Sequence, residues 1–241
     1  MTRRADIALV ERGLFASRAK AREAIEAGLV TLDGRPVAKP SEPVAEDAAL
    51  AASAPYPWVS RGGVKLAAAL DAFAIDPTGK SALDIGASTG GFAHVLLARG
   101  AAHVTCVDVG HGQLHPTIAE DARVISLEKR DARSLTPADP PAPPQLIVCD
   151  VSFISLEKIL SPVLALAAPA AEAVVLIKPQ FEVGPELVKK GLVRDEAAQK
   201  AACGRIERLT QDLGWRVAGL IRSPIVGGDG NREFLLGLRR P

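Results

Sequence analysis

Apolar residues gather in short runs separated by amphipathic or turn-rich stretches. Residues 81–85, 102–108, 123–127, 145–149 and 173–177 are apolar runs of strand length, and they read as buried strands. Residues 60–73 and 92–99 carry helical spacing of apolar positions, and the stretch 159–177 reads as a helix, a turn and a strand. A long helix is expected over 195–213, with acids at its start and Gly214 at its end. Strands 215–222 and 232–238 complete the pattern. A short loop joins these two, so the last strand should run antiparallel to its predecessor. The whole predicts an α/β domain with a seven-stranded, mostly parallel sheet whose last strand is antiparallel.

The first fifty residues follow a different pattern and predict a small α+β module. Asp6 is placed to cap a short helix that Gly13 ends, and Ser17 to cap a second helix over 18–27. Runs 29–32 and 35–37 flank Asp33-Gly34, a strong hairpin signal. Residues 40–57 are rich in Pro, Ala and Glu and close the module. Pro55 to Trp58 read as a stiff connector, with Trp58 as an interdomain packing residue. The expected division is 1–54, a linker at 55–59, and 60–241.

Composition adds limits rather than identity. The chain has 241 residues, 48% hydrophobic and 24% charged, with a net charge of +1. That balance gives no global attraction to nucleic acid, so any such face must be local. The bases crowd the start of the first module: Arg3, Arg4, Arg12, Arg18, Lys20 and Arg22. They form either a phosphate-binding face or an ordinary solvated one. The three cysteines are scattered without a C-x-x-C, which fits a reducing, cytoplasmic setting. His111 and His115 are separated by Gly112 and followed by Pro116, so no metal site is expected. The first residues lack the apolar core of a signal peptide, and Pro162, Pro169 and Glu172 interrupt the longest apolar stretch. No membrane span is expected.

The chemistry gathers where strands end. The first strand of the large domain breaks into Asp84-Ile85-Gly86-Ala87-Ser88-Thr89-Gly90-Gly91, a glycine turn that opens a helix. This is neither a dinucleotide fingerprint nor a P-loop. Asp84 would repel a pyrophosphate and welcome a cationic amino group, which points to S-adenosylmethionine; the alternative is a tight turn in another α/β enzyme. Gly86, Ser88, Gly90 and Gly91 would line that ligand. Asp108, at the tip of the second strand, is placed to accept ribose hydroxyls. Asp131, after the third strand, is either a partner for the adenine amino group or a surface acid.

Asp150 and Lys178 follow the fourth and fifth strands, Lys65 lies on the helix before the first, and Glu233 opens the last strand. All four should share the carboxyl edge. Two lysines and two carboxylates suit methyl transfer to a ribose 2′-hydroxyl, with Lys178 as base or as orienting cation. Asp150-Val151-Ser152-Phe153 lacks the paired prolines usual in base-nitrogen methyltransferases.

Two resemblances sharpen this. Ser17-Arg18-x-Lys20-Ala21, Ile25, Gly28-x-Val30 and Asp33-Gly34 resemble the RNA-binding domain first known from ribosomal protein S four. The resemblance implies Arg18, Lys20 and Arg22 as phosphate contacts; Arg4, Arg61, Lys189 and Lys190 are further candidates, the last two on a loop over 179–193. End to end, the chain resembles the TlyA-type haemolysins, ribosomal RNA 2′-O-methyltransferases with an FtsJ-like, Rossmann-like class I domain. That rests on residues 58–62, 84–92, 108–114, 150–156 and 178–182. The family's Lys-Asp-Lys-Glu tetrad falls on Lys65, Asp150, Lys178 and Glu233. The resemblance implies S-adenosyl-L-methionine as donor and a cytidine of rRNA within a ribosomal subunit as acceptor. The close at Pro241 resembles the subgroup acting on the large subunit. The linker has Tyr56-Pro57 where the family commonly has Arg-Ala, and Asp131 stands where relatives often carry asparagine. An RNA-binding assembly factor without catalysis, and a direct haemolysin, are the alternatives.

Overall fold

The chain folds as two units, Met1–Pro57 and Trp58–Pro241, in a computed structural model that describes residues 2–241. In the first unit β1 (Thr2–Arg4) leads into α1 (Ala5–Glu11), and α2 (Arg18–Glu26) follows. Ser17 caps α2 by accepting the Lys20 amide. β2 (Val30–Leu32) and β3 (Arg35–Pro36) form the hairpin. Asp33 and Gly34 both take positive φ, +49° and +78°, as a tight two-residue turn requires.

β4 (Pro43–Ala45) pairs with β1, and β5 (Leu50–Ala52) pairs with β2, both antiparallel. The pattern did not predict these strands, because three residues are too few to show alternation. Leu9, Ile25, Val30 and Val44 fill the core between helices and strands.

One expectation here is corrected. Asp6 does not cap α1: Arg4 occupies the N-cap position, and Asp6 lies inside the first turn, fully buried. The extension of β1 directly into the helix moves the start forward by two residues.

In the second unit α3 (Gly62–Phe73) precedes β6 (Ser81–Ile85), α4 (Gly91–Ala98), β7 (His103–Val107), the short α5 (Pro116–Ala119) and β8 (Val124–Leu127). Then come β9 (Leu146–Cys149), α6 (Leu160–Ala165), β10 (Glu172–Ile177), the single turn α7 (Pro179–Glu182), α8 (Glu196–Asp212), β11 (Arg216–Arg222) and β12 (Phe234–Arg239). The stretch expected as a plain loop over 179–193 therefore holds α7 and a further single turn, Pro185–Leu187. Prolines at the first turn of each fix the backbone for helical entry.

The seven strands lie in the order β11-β12-β10-β9-β6-β7-β8. β12 is antiparallel to both neighbours, and the other pairings are parallel. The inner strands are apolar on both faces because both faces are covered. Leu66, Leu70 and Phe73 of α3 and Leu96 of α4 pack on one face, against Val104, Leu146 and Val174. Leu160 and Leu164 of α6 and Ile206 of α8 pack on the other, against Leu83, Ile85 and Ile147. Gly237 of β12 admits Phe73: a Cβ there would lie 2.5 Å from the ring.

Trp58, expected as an interdomain packing residue, packs within the second unit. It joins the core of α3 and meets His94 edge-on, with ring centroids 5.5 Å apart.

Candidate active site

Strand order reverses between β6 and β9, and ligands of open α/β sheets sit at such a point, beyond the carboxyl ends. Here the turn after β6 meets the residues after β9. Gly86 holds φ +80°, and a Cβ on it would strike the Asp150 carbonyl oxygen. The close approach is possible only because this residue has no side chain.

Two cavities open at this edge. One, of about 440 Å³, is lined by Gly86, Ser88, Asp108, Asp131, Asp150 and Phe153, among others. The other, of about 220 Å³, is lined by Arg61, Lys65, Gly91, Lys178 and Glu233, among others. Gly86, Ser88 and Asp150 border both, so the cavities adjoin. The larger one has the volume of a small-molecule site.

Acids frame the larger cavity. Asp108 accepts the amides of Ser88 (2.8 Å) and Gly110 (2.7 Å), which fixes its carboxylate across the glycine turn. Asp131 accepts the Arg133 amide at 2.9 Å and pairs with its guanidinium at 2.5 Å. Those hydrogen bonds to Arg133 hold its pKa down, to about 2.

Asp84 behaves differently from its expectation as a turn residue. It is the fourth residue of β6, fully buried, and it lines neither cavity. Its oxygens lack a well-formed hydrogen bond. Burial, with Asp150 nearby, pushes its pKa up to about 8. Gly90 likewise stays out of the cavities; it is the left-handed N-cap of α4.

The smaller cavity brings together the two lysines and two carboxylates. Lys65 Nζ lies 2.5 Å from Glu233 Oε2, and both side chains are buried. Lys178 Nζ lies 2.6 Å from Asp150 Oδ1 and donates to Ser152 Oγ at 2.7 Å. Each member comes from a different element: the first turns of α3, the end of β9, the end of β10 and the approach to β12. Arg61 reaches the Val226 carbonyl beside them at 3.2 Å.

Two residues were not singled out from sequence. Ser152 is the second partner of the Lys178 ammonium. Phe153 is 91% exposed at φ +64°, and its ring rests on Phe181 with centroids 5.2 Å apart. A bulky residue in that backbone region is uncommon, and such strain gathers at working sites. Their sequence signal was their place in the motif 150–156, directly after a strand-end acid.

The other basic candidates do not line these cavities. Arg4, Arg18 and Arg22 converge on Asp6 in the first unit. The Lys20 amide donates to Ser17 Oγ at the start of α2. Lys189 and Lys190 are exposed, next to the bridge that joins Lys189 to Leu192. Among the described residues no cluster of His, Cys, Asp and Glu has metal-binding form. No described helix is long and apolar enough to cross a membrane.

Comparison with known proteins agrees with this geometry. The family model of FtsJ-like methyltransferases matches residues 58–240, and that of the S4 domain matches residues 3–50. The chain is 46% identical to the 16S/23S rRNA (cytidine-2′-O)-methyltransferase TlyA of Mycobacterium tuberculosis, over 99% of this chain and 91% of the relative. It is 38% identical to the 23S rRNA (cytidine-2′-O)-methyltransferase TlyA of Campylobacter jejuni, over 73% and 69%. A solved structure described as a candidate hemolysin from Streptococcus thermophilus aligns with a TM-score of 0.79 at 38% identity, covering 99% of this chain and 88% of that one. The chain belongs to the FtsJ-like methyltransferase family, in its TlyA-type branch, with an S4 domain ahead of the methyltransferase domain.

Proposed function

We propose that this protein methylates the ribose 2′-hydroxyl of a cytidine in ribosomal RNA, with S-adenosyl-L-methionine as donor. The observation that carries the reading is the adjoining pair of cavities, one framed by acids and the other holding Lys65, Asp150, Lys178 and Glu233. When bound, the donor supplies a sulfonium methyl group that an oxygen nucleophile can displace.

The residues of the larger cavity fit that donor. Asp108 is anchored by two amides, so its carboxylate faces a ribose without swinging away. Asp131 is the candidate for the adenine edge, and Gly86 and Ser88 keep the turn low beneath the ligand; Gly91, at the start of α4, lines the adjoining cavity. Asp84 sits behind that turn as a buried carboxyl, and Gly90 sets the start of α4; we read both as supporting the turn.

In the smaller cavity Lys178 Nζ would hold the acceptor oxygen and oppose the charge that grows there as its proton leaves. Asp150 and Ser152 fix that head group from two sides. The proton that leaves the acceptor oxygen would pass to the Lys178–Asp150 pair, which lies against it. Lys65, held by Glu233, would contact the acceptor hydroxyl or an adjacent phosphate. Arg61, Lys189 and Lys190 add positive charge for the RNA backbone near this edge, and Arg4, Arg18, Lys20 and Arg22 do so in the first unit.

Both TlyA relatives described above carry 23S rRNA in their names, so the large subunit is the first substrate to test. The experiment is transfer of a labelled methyl group to separated, unmodified ribosomal subunits, with Lys178→Ala as control. Label on the large subunit that disappears in the variant is expected. Label on both subunits would broaden the substrate. No label on either, with the donor still bound, would favour an assembly factor instead.

A further inference from the structure

We infer that Asp6 is a positioning residue for RNA: one buried carboxylate that holds the guanidinium groups of Arg4, Arg18 and Arg22 in a fixed fan facing the RNA backbone. This rests on the reading that the first unit binds RNA, and it assigns a task to a residue of opposite charge to the ligand.

The geometry is specific. Arg4 Nε donates to Asp6 Oδ1 at 3.0 Å. Arg18 Nη2 and Arg22 Nε donate to Oδ2 at 2.9 and 3.0 Å. Asp6 has no exposed surface, whereas the three arginine side chains are 45%, 51% and 48% exposed. The carboxylate is therefore sealed beneath a lid of half-exposed cations. Its inner N–H partners are used up, while Nη1 of Arg4 and Arg18 and both Nη of Arg22 have no bond in the described residues. Those outer donors are free for phosphate oxygens.

Local structure explains how the fan forms. Arg18 and Arg22 are four apart on α2 and so share a face. Asp6 sits in the first turn of α1, and Arg4 immediately precedes that helix. Three cations on one anion leave two positive charges unbalanced. A cluster built for stability alone would approach neutrality, because buried ion pairs stabilise little net of desolvation. A long arginine must also lose rotamer freedom when it grips phosphate. Here the fold has already restricted three of them.

The sign of one substitution separates this from simple attraction. Asp6→Asn makes the face one charge more positive while keeping the side chain's shape. If the arginines act only as charges, RNA binding tightens. If Asp6 positions them, binding weakens, by on the order of tenfold for a lost fork contact, and the salt dependence becomes shallower.

The assay is co-sedimentation of the full-length protein with unmodified large ribosomal subunits over a salt series. Melting temperature and S-adenosylmethionine affinity are followed in parallel. Weaker binding with a shallower salt slope and unchanged donor affinity is the expected result. Equal or tighter binding of Asp6→Asn overturns the positioning role and leaves the RNA reading intact. Failure of the unsubstituted protein to bind overturns both. Should Asp6→Asn not fold, Arg18→Lys with Arg22→Lys decides: charge is kept but the fork is lost. Reduced affinity then supports the fan, and unchanged affinity overturns it.

Discussion

Lys65 and Glu233 form a buried ion pair at 2.5 Å that ties the opening of α3 to the approach of β12. Neither side chain has solvent to fall back on. Removal of one partner strands the other charge, a change that costs roughly 3–5 kcal/mol at buried pairs. Glu233→Ala should therefore lower the denaturation midpoint substantially as well as abolish methylation. Lys65→Met with Glu233→Leu should recover most of the stability and none of the activity. Chemical denaturation of the two variants beside the unsubstituted protein separates the two effects; equal stability of Glu233→Ala and the unsubstituted protein would show that the pair is not sealed.

Ser152 holds the same head group as Asp150. Ser152→Ala should leave donor binding unchanged and reduce kcat by about tenfold, as expected for loss of one orienting hydrogen bond. Lys178→Ala should fall to background. Single-turnover kinetics with donor affinity measured by calorimetry would check this, and a Ser152→Ala enzyme with full kcat would remove Ser152 from the site.

Phe153 presents an almost fully exposed ring at the rim of the larger cavity. An exposed aromatic backed by a second ring suits stacking on a nucleobase, worth about 1–3 kcal/mol per base. Phe153→Ala should raise KM for the ribosomal subunit by about tenfold or more while sparing donor affinity. Phe153→Tyr should retain most of the function. If donor affinity falls and KM for RNA does not, the ring belongs to the donor site instead.

Asp84 sets a pH dependence of stability. Its folded pKa of about 8 stands above the ordinary value of 3.8 because burial disfavours the charged form. Between those values the folded state binds more protons than the unfolded state. Stability should therefore fall as pH rises from about 4 to about 8, and level off above, a loss of at most about 6 kcal/mol. Asp84→Asn should flatten this part of the profile and melt higher than the unsubstituted protein at pH 9. Melting curves from pH 5 to 9, without donor, test the sign.

Much of the second unit was legible because its strands are buried on both faces. Runs such as 146–149 and 173–177 have no polar interruption and lead into the acid or lysine that matters. The register of the first hairpin was also legible, from Asp33-Gly34. Short pairings were not: β1, β4 and β5 have three residues each, and their partners lie far along the chain. Asp6 read as a helix cap because its type and place suit one. Only the fold shows three arginines around it. Asp84 read as facing the ligand, whereas the pleat turns its side chain inward one residue before the strand ends. Ser152 and Phe153 lie in the motif 150–156, but nothing in it marked a role for either; their roles rest on where Lys178 and Phe181 lie.

The antiparallel strand β12 sits between β10 and β11, so the edge strand joins the sheet only through it. The same strand carries Glu233 to its partner. A translating ribosome thus releases almost the entire methyltransferase domain before the tetrad can close. A chain interrupted just short of this insertion keeps its five parallel strands and its glycine turn, yet lacks both the seal on α3 and the fourth charged group. Chemical competence is therefore a late event in the synthesis of this domain, and activity doubles as a report that its sheet has closed around β12.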